Sequence, residues 1–149
     1  MATSSVSYES SAYDKIEFGL MQKLVDTRKN VYVSPKFKMM GNECVRIDLE
    51  SCIYEEQHHH FTVKHYGVCV YYYTDADMTN QNTNKEVKQR IDKLEQELLN
   101  SQYNSSGTDG SSNKWINLLI NEIEFNAEVE DENIYCAKFN LTLTNTNQF

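Results

Sequence analysis

The amino-acid sequence predicts an α+β domain: a mostly antiparallel sheet of about five strands with two helices, in the order α-β-β-β-α-β-β. Three observations carry that expectation. Tyr135, Ala137, Phe139, Leu141 and Leu143 alternate with Cys136, Lys138, Asn140, Thr142 and Thr144, the period of two of a strand buried on one face. Val45, Ile47 and Leu49 alternate in the same way against Arg46, Asp48 and Glu50, which suits an antiparallel sheet covered on one side. Two other stretches repeat apolar residues every three or four positions, as a helix packed along one stripe requires.

The elements follow in order. Residues Met1 to Ala12, rich in Ser and Thr, read as a flexible arm, and residues 13–149 as a single domain. Asp14 and Glu17 have the spacing of a capping box, and Ile16, Leu20 and Leu24 follow on one face, so a first helix is expected over Tyr13 to Arg28. Val31 and Val33 give a short strand ended by Pro35, which cannot donate to a ladder. Lys36 to Asn42 is a connection, with Gly41 and Asn42 as its turn residues.

Cys44 to Ile53 is the second strand, and Glu55, Glu56 and three histidines are placed in the loop after it. The third strand, Phe61 to Tyr73, has apolar residues on both faces: Val63 and Cys69 on one, Tyr66, Val68, Val70 and Tyr72 on the other. It is therefore expected to be central and covered from both sides along part of its length, by a helix or by another subunit. Thr83 and Glu86 form a second capping box, and Val87, Ile91, Leu94 and Leu98 make the stripe of a helix from Asn84 to about Tyr103. Asn104 to Asn113 is a hydrophilic loop unable to bury enough apolar area to fold alone. Trp115 to Phe125 reads as a strand with a bulge or a change of face near Leu119, or as a short helix, and leads by a turn to the final strand.

Composition narrows the function. The chain has 149 residues, enough for one domain with a sizeable core, and 22 acidic against 14 basic side chains, a net charge of −8. No basic run exceeds the pair Arg28 and Lys29, so the footprint that displaces counterions from nucleic acid is missing. Cys44, Cys52, Cys69 and Cys136 match neither a CxxC pair nor a zinc ribbon and are expected to be reduced, small apolar side chains. The polar N-terminal residues lack the apolar core of a signal peptide, and the longest apolar run, Tyr66 to Tyr73, is shorter than the ~20 residues a bilayer demands. Neither secretion nor membrane insertion is expected.

Candidate chemistry is sparse. His58, His59, His60 and His65 are possible metal ligands by type, but no Cys or carboxylate sits at a standard offset. Glu17 and Asp48 would suit a metal-dependent nuclease if a Glu-x-Lys pair lay on the next strand; the available pair, Glu86 and Lys88, opens a helix almost forty residues later. Cys69 and His65 share a strand face but stand about 13 Å apart, too far for one to activate the other. Tyr71, Tyr72 and Tyr73 read as rim and interface aromatics, since no basic residues are interleaved for base stacking. No catalytic residue, metal or cofactor is expected. The polar turn with Asp75 and Asp77 is the candidate interaction site.

In element order the chain resembles the tail terminator (tail completion, or head-tail joining) proteins of tailed bacteriophages. The resemblance rests on the helix from Ile16 to Val25, the segments Val31-Tyr32-Val33 and Cys44 to Leu49, the long strand Phe61 to Tyr73 feeding a helix from Glu86 to Leu99, and the paired segments Trp115 to Phe125 and Ile134 to Thr144. It covers residues 13 to 144 in architecture and has no sharp motif from which single functional residues carry over. It implies a virion structural protein, assembled in the host cytoplasm, whose copies form a ring, expected to be a hexamer. Such a ring stops tail-tube polymerisation and meets the tail tube protein, the head or neck connector and, in a contractile tail, the sheath. DNA would pass through it without specific binding. An acidic wall would repel that DNA, and a ring of like subunits would cover a central strand that is apolar on both faces. Competing readings are a head completion or neck protein, a small metal-dependent nuclease, and a monomeric adaptor for a basic partner.

Overall fold

A computed structural model describes residues 11–57, 61–102, 104–105, 113–131 and 133–148. Two helices and a five-stranded, mostly antiparallel sheet make an α+β fold. A π-helical segment, Ser11–Glu17, runs directly into α1, Phe18–Val25. The strands of the main sheet are β1 (Val31–Val33), β2 (Glu43–Gln57), β3 (Phe61–Thr74), β6 (Asn117–Glu124) and β7 (Tyr135–Gln148). Helix α2 spans Gln81–Leu99, and two short strands, β4 (Asn104–Ser105) and β5 (Asn113–Trp115), pair with each other across the segment expected to be a loop.

The sheet order is β1-β2-β3-β7-β6, so β3 is central, as its two-sided apolar pattern implies. Helices lie on one face. Ile16, Leu20 and Leu24 come from the N-terminal helical segments, and Val87, Ile91, Leu94 and Leu98 from α2. They pack on Val45, Ile47, Val68, Val70, Tyr72, Phe139, Leu141 and Leu143. Each such side chain contributes ~1.5–3 kcal/mol on burial, which outweighs any local propensity. Trp115 is fully buried, and its indole Nε1 donates to Ser101 O at 2.7 Å, tying the end of α2 to β5.

Several boundaries differ from expectation. Asn80, not Thr83, caps α2: its side chain accepts from the backbone N–H groups of Asn82 and Thr83, a cap that contributes about 1 kcal/mol. Glu17 accepts from Leu49 N–H at 3.3 Å and so holds the helical entry against β2. Strand β2 runs four residues beyond Ile53, placing Glu56 in the ladder with β3 and Glu55 at a break in its register, instead of in a loop. It breaks register twice, between Leu49 and Ser51 and between Tyr54 and Glu56; the first break shifts the alternation by one, so Ile53 pairs with His65 on the face opposite to Val45, Ile47 and Leu49. The bulge in β6 lies between Ile120 and Glu122, just past the expected Leu119.

Strand β1 is parallel to β2. A parallel neighbour needs a crossover, and residues 34–42 supply it by passing over the face away from the helices. There Phe37, Met39 and Met40 pack on Cys44, Tyr73 and Cys136, joined by Ala127, Val129 and Ile134 from the β6–β7 connection. The Tyr32 hydroxyl fastens the crossover, donating to Lys38 O at 2.7 Å and accepting from Lys38 N–H at 2.9 Å. The second cover of β3 at this end thus comes from the chain's own connections, neither from a helix nor from another subunit. No helix of the described residues is long and apolar enough to cross a membrane.

Candidate functional site

The face of the sheet opposite the helices carries the groups free to meet a partner. Register places Arg46, Tyr71, Lys138 and Glu124 in one row across it, Asp48, Cys69, Asn140 and Glu122 in the next, and Ser51, Gly67, Thr142 and Leu119 beyond. At the covered end, Arg46, Tyr71 and Tyr73 meet Pro35, Lys36, Phe37, Glu128, Val129 and Glu130 around a groove of about 740 Å³.

Arg46 organises this groove. Its Nε donates to the Tyr73 hydroxyl at 2.9 Å, its Nη1 donates to Ser34 O at 3.0 Å, and its guanidinium carbon stands 3.9 Å from the centre of the Tyr71 ring. Asp48 lies 3.9 Å away. Tyr71 and Tyr73 are parallel with centroids 6.0 Å apart, and Phe37 tilts against Tyr73 at 4.5 Å. The cation is therefore largely committed to the fold: a buried planar group with fixed partners keeps its rotamer and its aromatic neighbours in place.

The chemistry of the groups nearby is inert near neutral pH. Burial, reinforced by the neighbouring Glu50 carboxylate, pushes the Cys69 thiol up to about 11. Burial pushes Cys136 up to about 12 and also raises Cys44. A thiol becomes a nucleophile through a lowered pKa, and these three are displaced the other way. The charges of the face are lopsided: Asp48, Glu50, Glu55, Glu56, Glu122 and Glu124 stand on it with Arg46, Lys138 and His65.

The residues singled out in the sequence are dispersed. Asp75 and Asp77 are both exposed on the turn between β3 and α2, beside a groove of about 500 Å³ shared with Asn126, Asn133 and Tyr135. Asp77 accepts from both the backbone N–H and the hydroxyl of Thr79, which lowers its carboxyl below 3.8 and shapes the approach to the Asn80 cap. His58, His59 and His60 lie outside the described residues. His65 contacts Glu55 through Nε2 at 2.7 Å and Thr144 through Nδ1 at 2.9 Å, while Cys69 donates to Asn140 at 3.2 Å.

Asp48 adds to the burial that raises the Glu17 carboxyl, but Glu86 and Lys88 sit exposed on α2. Among the described residues no three His, Cys, Asp or Glu side chains converge as a metal site. The tyrosine run divides by strand period, leaving Tyr71 half-buried while Tyr72 and Tyr73 are fully enclosed on opposite faces, so it is not a continuous aromatic rim. Arg46 was visible only as one polar member of an alternating strand. The signal that would have marked it is an arginine in register with a Tyr-x-Tyr pair, which requires the β2–β3 pairing to be known.

Comparison of the chain with protein-family models finds no match, and comparison with curated proteins finds none.

Proposed function

We propose that this chain is a structural, non-enzymatic virion protein, a tail terminator whose copies close into a ring, taken as a hexamer, that caps a phage tail tube and joins it to the head or neck. One observation supports this above others: the distal half of β2 extends beyond the elements packed on its start and lies exposed along an acidic stretch. From Glu50 to Gln57, β2 is exposed throughout, with Ile53 66% and Tyr54 47% exposed. Exposed apolar residues on a long sheet extension are characteristic of surfaces that assemble. The carboxylate row suits a wall past which DNA slides, because like charge repels the phosphate backbone and the carboxylates of this face outnumber its cations, Arg46, Lys138 and His65.

The polar turn at Asp75 and Asp77 serves as a ring or channel contact in this assignment. Mass photometry of the purified protein over a concentration series, with and without tail tubes, tests it. Closed rings, or a monomer that assembles on tube ends and halts their growth, are expected. A chain that stays monomeric and leaves tube length unchanged refutes the assignment.

A further inference from the structure

The exposed distal half of β2, an arm along the edge of the sheet, has a counterpart elsewhere on the same molecule. Where α1, the start of β2 and α2 meet, Arg28, Lys29, Arg90 and Lys93 line a pocket of about 380 Å³ whose lining also includes the carboxylates Glu43 and Glu97. Those two carboxylates are already engaged: Glu97 accepts from Arg28 Nε at 2.9 Å, and Glu43 lies 3.4 Å from Arg28 and 3.6 Å from Arg90. Lys29 and Lys93 are exposed at its mouth. In a chain of net charge −8 this is a local surplus of positive charge. The helix ends that the Arg28–Glu97 pair joins also carry exposed apolar residues, Val25 at 44% and Leu99 at 40%.

The arm is the complement. It bears Glu50, Glu55 and Glu56 with Ile53 and Tyr54 exposed among them. The carboxylates of the arm are opposite in charge to the cations of the pocket, and both surfaces carry exposed apolar side chains. Yet arm and pocket lie at opposite ends of one strand: Glu43 and Glu56 are separated by roughly 40 Å at ~3.3 Å per residue. A rigid ladder cannot fold back over that distance, so an arm that fills the pocket must come from another molecule.

We infer that the arm residues Glu50 to Glu56 of one copy dock on the Lys29–Lys93 pocket of a second copy, forming the repeating contact of the assembly, which rests on the ring proposed above. Two different patches meeting head to tail make a heterologous contact, which closes into a ring when the rotation between copies divides a full turn. Opposite charge across it speeds encounter and fixes register, and added salt weakens it.

Charge exchange tests the contact. Lys29→Glu with Lys93→Glu reverses the pocket, and Glu55→Lys with Glu56→Lys reverses the arm. Each pair is expected to raise the concentration of half-assembly at least about tenfold in mass photometry, since facing like charges costs several kcal/mol. All four substitutions together restore opposite signs and are expected to return assembly toward the parent. Circular dichroism of each variant monitors folding, and the neutral pair Glu55→Gln with Glu56→Gln gives a milder version, expected to weaken assembly and its salt dependence. Reversed variants that are folded and assemble like the parent, or a four-fold variant that fails to recover, overturn this contact while leaving the ring standing. A parent that never self-associates overturns both.

Discussion

Removing the Tyr73 hydroxyl tests whether Arg46 holds the covered end of the open face together. In Tyr73→Phe the ring keeps its contacts with Phe37 and Tyr71, so packing is nearly unchanged. What is lost is the acceptor 2.9 Å from Arg46 Nε, on an arginine side chain only 8% exposed, where water cannot readily replace it. A hydrogen bond to a charged group contributes ~1.5–3 kcal/mol, and the donor left behind is buried. A loss of about 2 kcal/mol follows, or roughly 4–8 °C in Tm at this chain length.

Arg46→Met removes the same bond together with the bond to Ser34 O and the stacking on Tyr71, at a cost of about 2–4 kcal/mol. Once Arg46 is gone the Tyr73 hydroxyl has lost its partner, so the double variant is more stable than the sum of single effects predicts, by about 1.5 kcal/mol. Urea titration of all four proteins, at a concentration below assembly so that association does not add to stability, measures this coupling. A value under about 0.5 kcal/mol would mean that the guanidinium finds equivalent partners elsewhere, and the account of Arg46 as the organiser of the groove would fail.

Two further outcomes follow from the titrating groups. Burial holds Glu17 above its ordinary 4.5, so the folded state binds this proton more tightly than the unfolded chain; the associated stability is fully present below 4.5 and is lost as pH rises through the raised folded value. Glu17→Gln keeps an acceptor for Leu49 N–H without the charge, so thermal melts should show the parent losing stability relative to this variant as pH rises from 4 to 7; the opposite trend refutes the assignment. Among the thiols, exposed Cys52 is expected to be alkylated first by iodoacetamide at pH 8, with buried Cys44, Cys69 and Cys136 protected in the native state; mass spectrometry reads the order, and early loss of Cys136 would contradict it.

The amino-acid sequence by itself determined the parts whose information is local. Alternation in β2, β3 and β7 and the stripes on the two helical regions are repeated many times over within each segment, and burial against a common core selects the register that satisfies all of them at once. The α+β class and the central position of β3 follow from that redundancy. Tertiary structure decided what depends on residues distant in the chain. Strand β2 continues to Gln57 through polar residues because β3 offers it a ladder, not because its own sequence favours a strand. The parallel placement of β1 sends residues 34–42 across the second face, and only that crossing encloses Tyr73 and joins Arg46 to Ser34. A periodic pattern says which side of an element is apolar; which element comes to lie over it is settled by pairings between segments tens of residues apart.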